Sequence, residues 1–401
     1  MGEFLVELQK HLTGGARAFA HRMFQSMPRA DQRRWAEIYL SGLVNAVGRK
    51  SISKIAELAG GGSAVQSLQQ FVNQSPWDWQ PVREALALYL AERLPVRAWL
   101  VGYAVIHKRG DHSVGVERRF VRDAGRLVNC QLGLSLQLDV EETAVPVNWR
   151  LLLSRRWTED AERRRRTRIP EHEGGICERE HMLGMLDELI ALRVPSAPVV
   201  FDATDVTNAP RLLDDLTDRG LGYVIGVKGD ERLLAEPHLR AVMGTRQADQ
   251  RVGRRALSPS EILRGWRDHP SSHRVWPQLT GHGAGRVQVR AASARLVDTE
   301  RRPGAAVRLV AERPLGSAAP TRYWITNLVD RPVPELFDLI ARKDRADANA
   351  ARDPYGLHDF EGRSYQGWHH HMTMVSVAHA YALLTGARTD ADYLPSENAT
   401  S

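Results

Sequence analysis

The sequence predicts an α/β protein in which a mixed sheet with flanking helices follows an N-terminal helical domain and is interrupted by a partly β insertion. Three observations predict it. Helical spacing of apolar residues dominates the first 95 residues. From residue 96 the pattern switches to strand-like runs. Beyond residue 178, short apolar strands alternate with amphipathic helices, which is α/β in character.

The elements follow in order. Ala36 to Val47 mixes apolar and small residues at helical spacing. Ser51 is placed to cap a helix, Gly60, Gly61 and Gly62 break it, and Ser63 to Asn73 reads as the next helix, with Pro76 beyond its end. Helix, glycine turn, helix is the outline of a helix-turn-helix, and equally of an ordinary helical hairpin. Val96 to Ile106 reads as a buried strand, and Ser113–Phe120 and Leu127–Leu138 as two more, together a three-stranded meander. Residues 154–175 are polar and strongly basic, either a solvated loop or a phosphate-facing surface. Glu178 to Leu192 reads as a helix, Pro198 to Phe201 as a strand ending at Asp202, Arg211 to Arg219 as a helix stopped by Gly220, and Tyr223 to Val227 as a strand. Residues 230–330 are less regular, with strand candidates Val307–Ala311 and Arg322–Asn327. Glu335–Ala351 and Trp368–Leu384 are helical, and the tail from 389 is expected to be flexible. The expected division is 1–95, 96–229, 230–330, 331–388 and 389–401.

Composition narrows the function classes. The 401 residues carry a net charge of +7 and 43% hydrophobic residues, a globular profile whose basic balance permits nucleic-acid binding. No apolar run approaches a membrane span and no secretory leader is apparent, so the expected location is the cytoplasm. Two cysteines without a CxxC pair argue against a thiolate zinc site or a disulfide framework.

Several segments, in order, carry a resemblance: QSLQQFVNQSPWDW (66–79), KRGDHSVGVERRF (108–120), NCQLGLSL (129–136), PVNWRLLLSRRWTED (146–160), RRTRIPE (165–171), VVFDATDVTNAPRLLDDLTDRGLGYVIGV (199–227) and GLHDFEGRSYQGWHHHMTMVSVAHAYALL (356–384). Together they resemble the bacterial insertion-sequence transposases of the DDE superfamily over nearly the whole chain. The resemblance implies an RNase H-like core with an aspartate on the first strand, a second on the fourth strand and a glutamate on a later helix. Such acids hold two divalent cations roughly 3.5–4 Å apart, which activate the attacking oxygen and stabilise the leaving one.

Aligned to that pattern, the second aspartate is Asp202. The first, eleven residues before Ser113, falls on Gly102, and the glutamate, eleven before Gly356, falls on Arg345. Asp344 and Asp347 flank that position and are easily mistaken for it. The implied triad is degenerate. Expected consequences are DNA binding without cleavage or strand transfer and no cofactor, with Mg2+ needed only if transposition survives. Two alternatives stay open: an enzyme repurposed around Asp202, Tyr103, His107 and Arg345 for a small-molecule substrate, with Asp111 a further candidate, and an active transposase with displaced ligands. The expected DNA-binding residues are Arg49, Lys50, Lys54, Gln66, Gln69 and Gln70, with Arg163, Arg164, Arg165, Arg166 and Arg168 in the basic run. A homodimer is open; a membrane partner is not expected. Three consecutive helix positions point in different directions, so His369, His370 and His371 do not share one metal, and helix packing is the favoured role of His371.

Overall fold

The computed structural model describes residues 14–121, 125–206, 209–235, 256–264, 274–280, 283–297, 303–317 and 319–386. In chain order the elements are α1 (Gly14–Phe24), α2 (Ala30–Asn45), α3 (Ile52–Leu58), α4 (Ser63–Asn73), α5 (Gln80–Arg93), β1 (Val96–His107), β2 (Glu117–Val121), β3 (Arg126–Val140), β4 (Thr143–Leu151), α6 (Arg155–Thr158), α7 (Ala161–Thr167) and α8 (Glu178–Ala191). There follow β5 (Val199–Asp202), α9 (Ala209–Asp218), β6 (Tyr223–Val227), β7 (Leu233–Ala235), α10 (Pro259–Arg264), β8 (Arg274–Thr280), β9 (Gly283–Val297), β10 (Pro303–Pro314), β11 (Arg322–Thr326), α11 (Val333–Ala351) and α12 (Tyr365–Thr385). The tail expected from 389 lies outside the described residues. The chain falls into two compact units: residues 1–95, 103–195 and 349–401, and residues 96–102 and 196–348.

The first unit is built around α12. Residues Trp368 to Ala378 are all buried, so this helix has no solvent face and must be wrapped on every side. Ser364 caps its start by accepting a hydrogen bond from the Gly367 N–H at 3.0 Å, and Gly386 ends it in the left-handed region. Helices α1, α2, α4 and α5 and strand β4 pack on it. Arg83 of α5 is buried there and pinned on all sides: it donates to the Thr373 hydroxyl at 2.8 Å and the Trp149 carbonyl at 3.0 Å. Burial, then the charge of Arg150, lowers its pKa to about 9. In the sheet of this unit β3 lies between β1 and a shared edge where β2 pairs with its first residues and β4 with its later ones. Strand β4 goes beyond the expected meander; Val145 to Trp149 are all buried, so it is covered on both faces. The basic stretch, expected as irregular, contains α6 and α7, the latter capped by Asp160, which accepts from the Arg163 N–H at 3.0 Å.

In the second unit the first half of β1 runs parallel to β5, and β5 parallel to β6. Antiparallel strands continue the sheet through β11, β10, β9 and β7. Strand β11 falls in the segment read from sequence as an insertion, yet it is the direct neighbour of β6, with Trp324 and Ile325 fully buried. A meander feeding a strand that is followed by two parallel neighbours is the RNase H-like mixed sheet.

Candidate functional site

Strand register places one row of residues on one face of the second unit's sheet. Direct partners in neighbouring strands share a face, and so do residues two apart along a strand. Leu100 partners Val200, so Gly102 and Asp202 share a face. Asp202 partners Gly226, Gly226 partners Trp324, and Glu312 partners Arg322, two residues from Trp324. The row therefore reads Gly102, Asp202, Gly226, then Arg322 with Trp324, then Glu312. Gly226 is required by this packing: a Cβ there would sit 2.7 Å from Asp202 Oδ1 and 3.1 Å from its Cα.

Helix α11 adds charge to this face. Arg322 grips Asp344 with both ends of its guanidinium, Nη1 to Oδ2 and Nη2 to Oδ1 each at 2.7 Å, and reaches Glu312 Oε2 at 3.4 Å. The guanidinium also stacks on the Trp324 ring, 4.7 Å from its centroid. Glu312 has a side chain only 1% exposed and accepts a further bond from Trp324 Nε1. One turn on, Lys343 pairs with Asp347. Asp202 Oδ1 accepts from the Thr204 N–H at 3.1 Å and from its hydroxyl.

The charges feel one another. Burial raises the Glu312 pKa; Arg322 opposes this, while Asp344 and Asp202 add to it. Burial likewise raises that of Asp347, against Lys343 and with Asp344 and Asp202; although nearly half its side chain is accessible, its carboxyl sits in dense surroundings. Burial works against the charge of Arg322, but its bond to Asp344 and the carboxylates of Glu312, Asp344 and Asp202 outweigh that and hold its pKa above the ordinary value.

This geometry bears on the expected residues one by one. Gly102 lies on the face of Asp202. Tyr103 and His107 belong to the first unit, where the Tyr103 hydroxyl donates to Glu178 and His107 is exposed at the end of β1. Asp111 and His112 are exposed beyond the strand and lie 3.5 Å apart. On α11, Asp344 and Asp347 meet the cluster, whereas Arg345 is turned ~100° around the helix from Asp344. Arg322, Glu312 and Gly226 were not singled out in the sequence; an acid and a base in cross-strand register become visible only once β10 and β11 are paired.

The histidine triplet divides as three packing residues. The His371 ring bonds the Tyr39 hydroxyl through Nδ1 and the Gly356 carbonyl through Nε2, both at 2.8 Å. His370 lies with Nδ1 2.9 Å from the Val72 carbonyl and Nε2 2.8 Å from the Trp77 carbonyl, donating to one of them as a neutral ring, and stacks on Trp77. His369 stacks on Trp79. Burial lowers the pKa of His370 and of His371 to about 4, so both rings are neutral at neutral pH.

A second surface belongs to the first unit. Helices α3 and α4 are joined by Gly60 and Gly61, both with left-handed backbone (φ 93° and 80°). Helix α4 buries Ala64, Leu68, Phe71 and Val72 and exposes Gln66, Gln69 and Gln70 at i, i+3 and i+4. Lys54 is exposed and pairs with Glu57. Arg49 bridges Asp359 and Glu361, and Lys50 is 7% exposed with its N–H bonded to Asp359, so Lys50 does not reach a phosphate as expected. In the basic run, Arg163 packs over Trp157 and pairs with Asp160, and Arg164 donates to the carbonyls of Thr158 and Pro170; both are structural. Arg165 pairs with Glu162 at the surface, while Arg156, Arg166 and Arg168 face solvent.

A mixed sheet of RNase H-like order with an acid at the end of β5 defines a class of fold used for phosphodiester chemistry, and the comparisons give the family. The profile of the DDE superfamily endonucleases matches residues 22–295, and the chain belongs to that family. Helices α11 and α12 lie beyond the matched segment. No curated protein sequence matches. Among solved structures the chain is similar to a piggyBac transposase in a synaptic complex with hairpin DNA, at 10% identity and a TM-score of 0.42, over 96% of this chain and 77% of that one. No helix among the described residues is long and apolar enough to cross a membrane.

The family implies divalent cations, and the residues present do not fit them. A hard cation needs carboxylate oxygens converging on it. Here both oxygens of Asp344 are taken by Arg322, Glu312 by Arg322 and Trp324, and Asp347 by Lys343. Among the described residues no three acids, histidines or cysteines gather around a common point.

Proposed function

We propose that this protein is a DNA-binding member of the DDE superfamily that neither cleaves nor joins strands, and acts as a regulatory or structural factor. The observation that carries the reading is the α3–glycine turn–α4 pair. It presents three adjacent glutamines, free of other work, on the outer face of a helix whose inner face is locked into the core. Glutamine suits the bidentate donor and acceptor edge of adenine in the major groove. The solvent-facing Arg156, Arg166 and Arg168 supply phosphate contacts.

Loss of cleavage is supported by Gly102 standing beside Asp202 without a carboxylate. The arrangement also favours one competing reading, an active nuclease with displaced ligands, because Asp344 and Asp347 of α11 approach the field of Asp202.

Fluorescence anisotropy with duplex libraries tests binding. We expect salt-dependent affinity for duplex DNA and a sequence preference that weakens in Gln66→Ala and Gln69→Ala; affinity without salt dependence would refute it. Incubation of supercoiled plasmid with Mg2+ tests cleavage. Nicking that disappears in Asp202→Asn would establish the competing reading.

A further inference from the structure

We propose that Arg322 is the resident cation of this sheet face, standing in place of a divalent metal and making the acidic cluster around it a structural ion network. This rests on the family reading of the centre but not on DNA binding.

Arg322 projects from β11, between the strand carrying Gly226 and the strand carrying Glu312. It gathers carboxylates from two different elements, Glu312 of β10 and Asp344 of α11, and lies within the field of a third, Asp202 of β5. These are the kinds of elements, sheet strands and a later helix, from which metal-ligating acids would converge. The planar fork takes both oxygens of Asp344 in the geometry that a carboxylate prefers for guanidinium. Trp324 covers one face of the guanidinium and satisfies the second oxygen of Glu312, so the fully buried Glu312 has a partner for each oxygen. Lys343 holds Asp347 in the same way. An incoming divalent ion would meet an always-charged guanidinium and carboxylates that already have partners. Its entry would require displacing Arg322 and leaving that charge without its partners.

Two measurements on the full chain test this. In calorimetric titration with MnCl2 the wild-type protein is expected to show no saturable binding. Saturable uptake that is abolished by Asp202→Asn or Asp344→Asn would overturn the proposal. In thermal unfolding, Arg322→Gln and Asp344→Asn are each expected to lower Tm by several degrees, and the double variant by clearly less than the sum, because the two residues act as one unit. Additive effects, or an Arg322→Gln protein as stable as the wild type, would overturn it as well. Arg322→Lys keeps the charge but loses the fork, and is expected to fall between the two. Duplex binding, measured on wild-type protein, separates the outcomes: its absence strikes the DNA reading and leaves the ion network untouched.

Discussion

Acidification should destabilise this protein through two buried histidines, by an amount that follows from their surroundings. His370 and His371 sit inside the helical unit with pKa values lowered to about 4 from 6.5, by burial first. Backbone carbonyl bonds oppose the shift at both. Lys108 adds to it at His371 against Asp359 and Asp353, and Arg83 adds to it at His370. The unfolded chain binds protons that the native state refuses. Stability is therefore complete above about pH 6.5 and lost as pH falls toward 4. At pH 5 an unfolded histidine is almost fully charged and the native one almost neutral, so each site costs ~2 kcal/mol there. The pair should cost ~4 kcal/mol, a large share of a typical domain's stability. Raised carboxyls, as at Glu312 and Asp347, act in the opposite direction, gaining stability as pH falls, so the total slope is a balance. A difference isolates the histidine. His371→Gln can still donate to Gly356 and accept from Tyr39, but does not titrate. Urea unfolding at pH 8 and pH 5 should show the wild type losing ~2 kcal/mol more than the variant between the two. Equal losses would refute the assignment of a protonation penalty to this ring.

Other outcomes follow from the same packing. Gly226→Ala drives a methyl into the Asp202 side chain and backbone and should cost ~1–3 kcal/mol, read as a lowered urea midpoint; an unchanged midpoint would mean that the two strands part easily. Tyr39→Phe deletes the hydroxyl bonded to His371 and should cost ~1 kcal/mol by chemical denaturation. Replacing Arg156, Arg166 and Arg168 together by Ala should flatten the log affinity against log salt plot for duplex DNA by up to ~3, about 0.9 for each phosphate no longer neutralised. The same change at Arg164, which holds the Thr158 and Pro170 carbonyls, should instead lower stability.

Much of the framework was legible because punctuation is local. Three glycines before Ser63 and a proline after Asn73 bound α4 where the structure has it, and Gly220 stops the helix before β6. Strand β4 was harder, since its apolar residues run on almost without alternation and both faces are buried. The ion network was not legible. Its members, Asp202, Glu312, Arg322 and Asp344, come from four elements and meet only through strand pairing and the placing of α11. At that helix, counting residues from a motif landed on Arg345, one position from Asp344. A helix turns ~100° per residue, so neighbouring positions on α11 start in different directions and a count along the chain does not say which of them meets the cluster. In the basic run, composition promised a uniform positive surface; the structure uses Arg163 and Arg164 to hold α7 in place, because a guanidinium can serve a carbonyl as readily as a phosphate.

The placement of α12 has a consequence for biosynthesis. Tyr39 and His371 are partners across 332 positions of chain, and the neighbours of α12 include helices made long before it in translation. At ~5–20 residues per second, the early helices wait on the order of 20–60 s at the ribosome before the strut that fills their apolar cleft emerges. Through that interval α2 and α4 lack the helix they finally pack on, and a chaperone that shields nascent apolar surface would find a target there.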